Sequence, residues 1–192
     1  MEPLRILIAD DESIRMMSLR KQLAALGHRV VAEASNGEEA VALAATTQPD
    51  LAILDIKMPG ADGIEAAQRI TRERPIPIIL LTAYNEAELV ERAAQANISA
   101  YLMKPVAEED LLPAITLALI RFRQFEALRR EVSDLREALE ARKIIERAKG
   151  ILVRRLDLTE EEAFRRLQKQ SQDSNRKLAE VAEAIVMADR LL

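Results

Sequence analysis

The sequence predicts an α/β fold with a parallel sheet covered on both faces, followed by a long helix with a short coiled coil and a small all-α domain. Three observations lead there. Through residue 103, short wholly apolar runs alternate with amphipathic stretches, as expected of buried strands joined by crossover helices. Between Pro113 and Gly150 there is no Gly or Pro, so a helix begun there meets no stop signal. The sign of the charge also changes along the chain. Residues 1–120 hold 11 Lys+Arg against 18 Asp+Glu, whereas residues 121–192 hold 17 against 14. The halves therefore face different partners. The expected division is one domain over 1–120, a helical linker and coiled coil over 121–141, and a second domain over 142–192.

Each element has a local reason. Leu4-Arg-Ile-Leu-Ile-Ala9 is the first strand, and Asp10-Asp11-Glu12 leads into a helix carrying Ile14, Met17, Leu23 and Leu26, ended by Gly27. Arg29 to Glu33 is a short strand, and Asn36-Gly37 opens an Ala-rich helix through about Thr46. The central strand runs from Asp50 to Asp55, and Asp62 starts a helix through about Arg72. Strand 76–81, a helix over about 85–95 and strand 99–103 complete the alternation. Glu108-Glu-Asp110 suits the N-terminus of the next helix through its dipole, with Pro113 tolerated near the first turns or causing a slight kink.

Composition narrows the function classes. With 49% hydrophobic and 31% charged residues over 192 positions, the chain reads as a soluble globular protein. No apolar run approaches the ~20 residues of a membrane span, and the N-terminus lacks a signal-peptide pattern. A cytoplasmic protein without a membrane partner is expected. There is no cysteine, so disulfides and thiolate metal sites are excluded. The lone His28 leaves no room for a zinc cluster; it follows Gly27 in an apparent turn and is given no role.

The stretch Leu51-Ala-Ile-Leu-Asp55-Ile-Lys-Met58-Pro59-Gly-Ala-Asp62-Gly63 carries the chemistry. Its apolar run delivers Asp55 to the carboxyl end of a strand, where open α/β sheets bind ligands. Alone, such an aspartate could simply cap the next helix. Asp10 and Asp11, however, end another strand, Thr82 ends a third, and Lys104-Pro105 ends a fourth. Three carboxylates, a hydroxyl and an ammonium would then share one edge of one sheet. Like charges so close disfavour ionisation, and a hard divalent cation with oxygen ligands, Mg²⁺ beside a phosphate, resolves the conflict.

This set, in this order, resembles the receiver domain of two-component response regulators over about the first 120 residues. The resemblance implies a flavodoxin-like strand order 2-1-3-4-5 and makes Asp55 the phosphoacceptor. It implies that Asp11 ligates Mg²⁺, with Asp10 helping through water or hydrogen bonds and the Lys57 backbone carbonyl adding a ligand. Lys104 would pair with phosphoryl oxygens and precede a cis proline bond. Thr82 would close on the phosphoryl group while the Tyr101 ring turns inward. Tyr84, two residues past Thr82, would shield the phosphoryl group from water. The chemistry is phosphoryl transfer to a carboxylate from a phosphohistidine on a sensor histidine kinase. The protein is otherwise not expected to be an enzyme, catalysing only its own phosphorylation and dephosphorylation. No G-x-x-x-x-G-K-[ST] loop is present, so ATP is not expected as the direct donor.

Beyond the receiver, Phe125, Leu128, Val132, Leu135 and Leu139 repeat with 3-4-3-4 spacing, a short coiled-coil seam. Glu131 and Arg136 then take the g and following e positions, the pairing expected of a parallel homodimer. Next, Lys143, Arg147, Gly150 and Arg154 fall on one helical stripe beside an apolar arc of Ile144, Ile145, Ala148, Ile151 and Leu152. A mid-helix Gly costs about 1 kcal/mol relative to Ala, which suggests close approach by a partner backbone. Thr159-Glu-Glu-Glu162 is a capping box for a helix with Ala163, Phe164 and Leu167 inward. Gln172 to Asn175 reads as a turn before a last amphipathic helix with Leu178, Val181, Ala182 and Ile185.

With Ala148-Lys149-Gly150-Ile151-Leu152, Glu162-Ala163-Phe164 and Asn175-Arg176-Lys177-Leu178 in register, residues 125–190 resemble the ANTAR module of transcription antitermination regulators. That resemblance implies binding to RNA stem-loops, with Lys143, Arg147, Lys149, Gly150, Arg154 and Arg176 as the candidate contacts. A DNA-binding helix-turn-helix would put base-reading side chains on its later helix, which here carries Glu180, Glu183 and Asp189. A protein-binding output is the other rival. An enzymatic output has no support, since the C-terminal half shows no cofactor loop or nucleophile-base set.

Overall fold

A computed structural model of the chain describes residues 2–83 and 98–189. The helix expected over 85–95, and Tyr84, lie outside the described residues. The chain divides into two compact units, Met1–Glu126 and Ala127–Leu192.

In the first unit β1 (Arg5–Ala9), α1 (Ser13–Ala25), β2 (Arg29–Ala34), α2 (Gly37–Thr47), β3 (Leu51–Asp55), α3 (Gly63–Glu73), β4 (Ile78–Thr82) and β5 (Ala100–Met103) follow in sequence. All strand pairs are parallel, in the order β2-β1-β3-β4-β5. This is the flavodoxin-like order expected of a receiver. The apolar runs are continuous because the sheet is buried on both sides. Leu7, Ala9, Leu54 and Leu80 face one core with Ala40, Ile64 and Ile70 of α2 and α3. Ile6, Ile8, Ile53 and Leu81 face the other with Leu19 and Leu23 of α1 and Leu111, Ala114, Ile115 and Ala118.

Those last four residues belong to α4 (Glu108–Leu156), a single helix with Pro113 inside it. Its spacing of apolar residues, 111, 114, 115 and 118, is that of one helical face laid on the sheet. The second unit packs Ala148, Ile151 and Leu152 of α4 against Ala163 and Leu167 of α5 (Glu160–Ser174) and Val181, Ala182 and Val186 of α6 (Leu178–Asp189). The expected arc of Ile144, Ile145, Ala148, Ile151 and Leu152 is thus the core-facing side.

Two expectations are corrected. Gln172 to Ser174 are still helical, and only Asn175 leaves the helix, as a left-handed cap at φ 51°. Phe164 is only partly buried and is not part of this core among the described residues. Ala163 and Leu167 are fully buried on that face, while the Phe164 ring stays half-exposed one residue away. The capping box at Thr159 and Glu162 forms as expected, each side chain bonding the other residue's backbone N–H.

Helix starts fix the loop that holds Asp55. Asn36 and Asp62 cap α2 and α3, accepting from the N–H groups of Glu39 and Glu65. Both next residues are glycines for want of space. A Cβ on Gly63 would lie 2.0 Å from the Asp55 carbonyl oxygen, and one on Gly37 would lie 2.2 Å from that of Ala61. Gly63 also donates its N–H to the Ile56 carbonyl at 2.9 Å. Gly63→Ala should therefore destabilise the first unit by about 1–3 kcal/mol, the usual cost of overpacking. It should do so by shifting the Asp55 backbone, read as a lower midpoint in urea unfolding.

His28, which follows the turn at Gly27 as expected, is buried. Its Nδ1 accepts the Leu4 N–H at 3.3 Å, so the proton sits on Nε2, which has no hydrogen-bond partner. Burial pushes the imidazole below its usual value near 6.5. Below about that pH the unfolded chain binds a proton that the folded chain refuses, so stability present at neutral pH is lost as the pH falls. Thermal melts at pH 7.5 and 5.5 should show a larger loss for the wild type than for His28→Gln.

Candidate functional site

Strand register assembles the acidic edge. Ile8 pairs with Ile53 and Ala9 with Leu54, so Asp10 follows beside Asp55 at the carboxyl ends of β1 and β3. Asp55 pairs with Leu81, one residue before Thr82, and Thr82 pairs with Met103, one residue before Lys104. The Lys104 N–H donates to the Thr82 carbonyl at 2.8 Å, and the Lys104-Pro105 peptide is cis. Asp10, Asp55 and Thr82 are buried, whereas Asp11 is exposed.

The carboxylates of Asp10, Asp11 and Asp55 present oxygens within 4.8 Å of one another. Cations meet two of them. Lys104 Nζ lies 2.5 Å from Asp55 Oδ2 and 3.3 Å from Asp10 Oδ2. The other Asp10 oxygen accepts the Glu12 N–H at 2.8 Å and ties the loop to the start of α1. Asp55 Oδ1 accepts the Lys57 N–H at 3.3 Å. Asp11 makes no hydrogen bond or ion pair among the described residues. Burial pushes the Asp55 carboxyl up; Lys104, through a hydrogen bond and its charge, opposes this, while the charge on Asp10 adds to it. Asp11, Asp55, Lys57 and Lys104 line one cavity of about 430 Å³ open beside this edge. Thr82 Oγ1–H donates to the Ala83 carbonyl at 3.2 Å. Tyr101 is half-buried against the α2–α3 core.

Sequence reasoning missed Arg15. Its Nη1 lies 3.3 Å from Asp10 Oδ2 and 3.6 Å from Asp55 Oδ2, and its other nitrogens bond Glu12. The one available signal was spacing: an arginine five residues past the strand-end Asp10 sits in the first turn of α1, within reach of the pocket.

In the second unit Lys143, Arg147, Arg154 and Arg176 are exposed. Arg147 and Arg154 make no ion pair among the described residues, whereas Lys143 meets Glu140 at 2.7 Å and Arg176 meets Glu180 at 3.3 Å. Lys149 differs. Its side chain is only 15% exposed and bridges Glu146 and Glu160. Nothing among the described residues lies within 4 Å of a Cβ built on Gly150, so packing against them does not require glycine there. Phe125, Leu128, Val132, Leu135 and Leu139 are all exposed. No helix among the described residues is long and apolar enough to cross a membrane.

Known proteins share both parts. Residues 6–116 match the response regulator receiver domain and residues 133–186 match the ANTAR domain. The transcriptional regulatory protein PdtaR of Mycobacterium tuberculosis is 47% identical over 96% of this chain and 90% of its own length. The positive alginate biosynthesis regulatory protein of Pseudomonas aeruginosa is 42% identical over 60% of this chain and 47% of its own. The signal receiver domain of a modulated diguanylate cyclase from Desulfovibrio desulfuricans G20 superposes with a TM-score of 0.60 at 37% identity, covering 64% of this chain and 98% of that one. A chain of the CheX-CheY-BeF3-Mg+2 complex from Borrelia burgdorferi superposes with a TM-score of 0.56 at 26% identity, covering 59% and 87%. The receiver sheet order, the acidic edge and the two matches in tandem agree: the chain belongs to the ANTAR-type response regulators.

Proposed function

We propose that this response regulator is phosphorylated on Asp55 by a sensor histidine kinase and controls gene expression by binding RNA stem-loops, promoting transcription antitermination in the cytoplasm. In this reading residues 1–120 are the phosphoacceptor domain, 121–141 a helical linker and 142–192 the RNA-binding domain. The observation that carries it is the tight pairing of Asp55 with Lys104 in the same chain as an ANTAR match whose Arg147 and Arg154 are exposed and unpaired among the described residues.

An Asp55 carboxylate oxygen attacks phosphorus, the P–N bond of the donor phosphohistidine breaks, and the imidazole leaves. Positioning and charge neutralisation supply most of such catalysis. Lys104 moves from the carboxylate to the phosphoryl oxygens, Thr82 donates its hydroxyl to one of them, and Tyr101 follows Thr82 inward. The donor set suits a hard cation, since three carboxylates meet within 4.8 Å and Asp11 is free among the described residues. Asp11, Asp55 and the Lys57 carbonyl would hold Mg²⁺, with Asp10 acting through water or hydrogen bonds. When bound, the ion offsets charge on the carboxylates and phosphoryl oxygens. A small phosphodonor such as acetyl phosphate with Mg²⁺ should label the protein, and Asp55→Asn should abolish the label. Undiminished labelling of that variant would remove Asp55 from its role.

On the output side, Lys and Arg reach phosphates while shape and loop bases confer selectivity. Lys143, Arg147, Gly150 and Arg154 form the contact stripe, flanked by Lys149 and Arg176. The exposed Phe125 to Leu139 seam pairs two copies, so two hairpins in tandem bind better than one through raised effective concentration. Arg147→Ala and Arg154→Ala should each weaken hairpin binding and lower its salt slope by about one. Lys149→Ala should do less, because that ammonium is already neutralised by Glu146 and Glu160. Gly150→Leu should weaken binding more than either arginine variant, without unfolding the domain, because nothing among the described residues lies within 4 Å of a Cβ there; the circular dichroism of the variant checks the fold. Filter binding to a hairpin and to duplex DNA of equal charge reads all four. Equal affinity for the duplex would sink the RNA reading.

A further inference from the structure

Arg15 is a second cation in a pocket whose two buried carboxylates already have Lys104. Its Nη1 and the Lys104 Nζ share the same two oxygens, Asp10 Oδ2 and Asp55 Oδ2. The guanidinium is held from the solvent side by Glu12, which bonds both Nε and Nη2. Glu12 is the N-cap residue of α1 and its side chain makes no capping bond, so its carboxylate is wholly given to the arginine.

We infer that Arg15 is a tethered counter-cation that fills the acidic pocket of the unphosphorylated protein and must swing out when the metal enters. The inference rests on the proposed Mg²⁺ site. Mg²⁺ binds oxygen at about 2.0–2.1 Å in near-octahedral geometry and carries two charges. A guanidinium nitrogen 3.6 Å from the Asp55 oxygen and 3.3 Å from the Asp10 oxygen occupies space that the ion or its waters would need. The two cations would also repel at short range in a partly buried site. Arg15 has somewhere to go. It lies between the 430 Å³ acidic cavity and a neighbouring cavity of about 150 Å³ lined by Ser18, Leu19 and Gln22, and it borders both. Its side chain is 38% exposed, so a path from the pocket to solvent is open. The arrangement sets the metal affinity of the resting protein and keeps the two buried carboxylates, Asp10 and Asp55, paired when the ion is absent.

Isothermal titration of Mg²⁺ into the full-length unphosphorylated protein tests this without any phosphodonor. Arg15→Ala and the longer, neutral Arg15→Gln should each bind Mg²⁺ about tenfold more tightly than wild type, which corresponds to about 1.4 kcal/mol. Arg20→Gln removes a charge from the same helix at a residue paired with Glu33 and should leave the affinity unchanged. Thermal melts give a second readout. Mg²⁺ should raise the midpoint of Arg15→Ala more than that of wild type, since tighter binding to the native state stabilises it more. Unchanged or weaker binding by both Arg15 variants, or an equal gain in Arg20→Gln, overturns the counter-cation role. If Asp11→Asn weakens binding in wild type while the Arg15 variants match wild type, the Mg²⁺ site stands and only the role of Arg15 falls. If no variant binds Mg²⁺, both fall together.

Discussion

Holding three aspartates within 4.8 Å at one end of a buried sheet is the constraint on which the first unit depends. Like charges at that spacing, two of them buried, disfavour ionisation, and removing one partner from a buried pair is costly. The fold meets the cost with position. β1 and β3 deliver Asp10 and Asp55 in adjacent register, and β5 delivers Lys104 between them. Backbone N–H groups of Glu12 and Lys57 each bond one carboxylate oxygen. Burial still pushes the Asp55 carboxyl up against the opposing effect of Lys104, so the pocket retains an appetite for positive charge. Arg15 answers to the same field.

The scaffold behind Asp55 is as exacting as the charges in front of it. α3 starts so close to the end of β3 that the Asp55 carbonyl excludes a Cβ at Gly63, and α2 starts so close to the following loop that Ala61 excludes one at Gly37. Capping by Asn36 and Asp62 satisfies the first N–H groups of the same two helices. The sequence pair Asn-Gly and Asp-Gly therefore does two things at each start. The first residue caps the helix chemically, and the second lets it approach the loop that follows Asp55.

Much of this was legible because it is local or periodic. Continuous apolar runs locate buried strands, and a residue ending such a run lies at a sheet edge. Asp10, Asp55, Thr82 and Lys104 could thus be brought together before any coordinates. What escaped depends on how side chains reach across elements. Arg15 reads as one more polar residue on an amphipathic helix, and only the rotation of α1 decides that it points at the pocket. Lys149 reads as part of a basic stripe, but Glu146 in its own helix and Glu160 at the start of the next claim it. Phe164 follows the buried Ala163, and a difference of about 100° around α5 leaves its ring half-exposed. His28 follows a turn glycine, yet it is buried, with the Leu4 backbone N–H donating to its Nδ1. Gln172 to Asn175 has turn composition, but propensity is a weak prior against a helix already propagating.

Within α4 the physics of the ends and the middle differ. Leu111 to Ala118 are fixed in the sheet core and Ala148 to Leu152 in the core of the second unit. Residues 127–140 are exposed throughout. Propensity alone sustains a helix of that length poorly in water, and a face that buries nothing gains little from i,i+4 pairs worth about 0.2–0.5 kcal/mol each. Yet this middle stretch is not polar all round. Leu128, Val132, Leu135 and Leu139 lie on one seam with Phe125, each 40% exposed or more, and burying such side chains stabilises by about 1.5–3 kcal/mol apiece. A second copy aligned along the same seam would bury one row against its equivalent and bring Glu131 of one helix to Arg136 of the other. That gain would fall on the segment with least intrinsic support, so a contact between copies would stabilise this stretch more than it would either globular core.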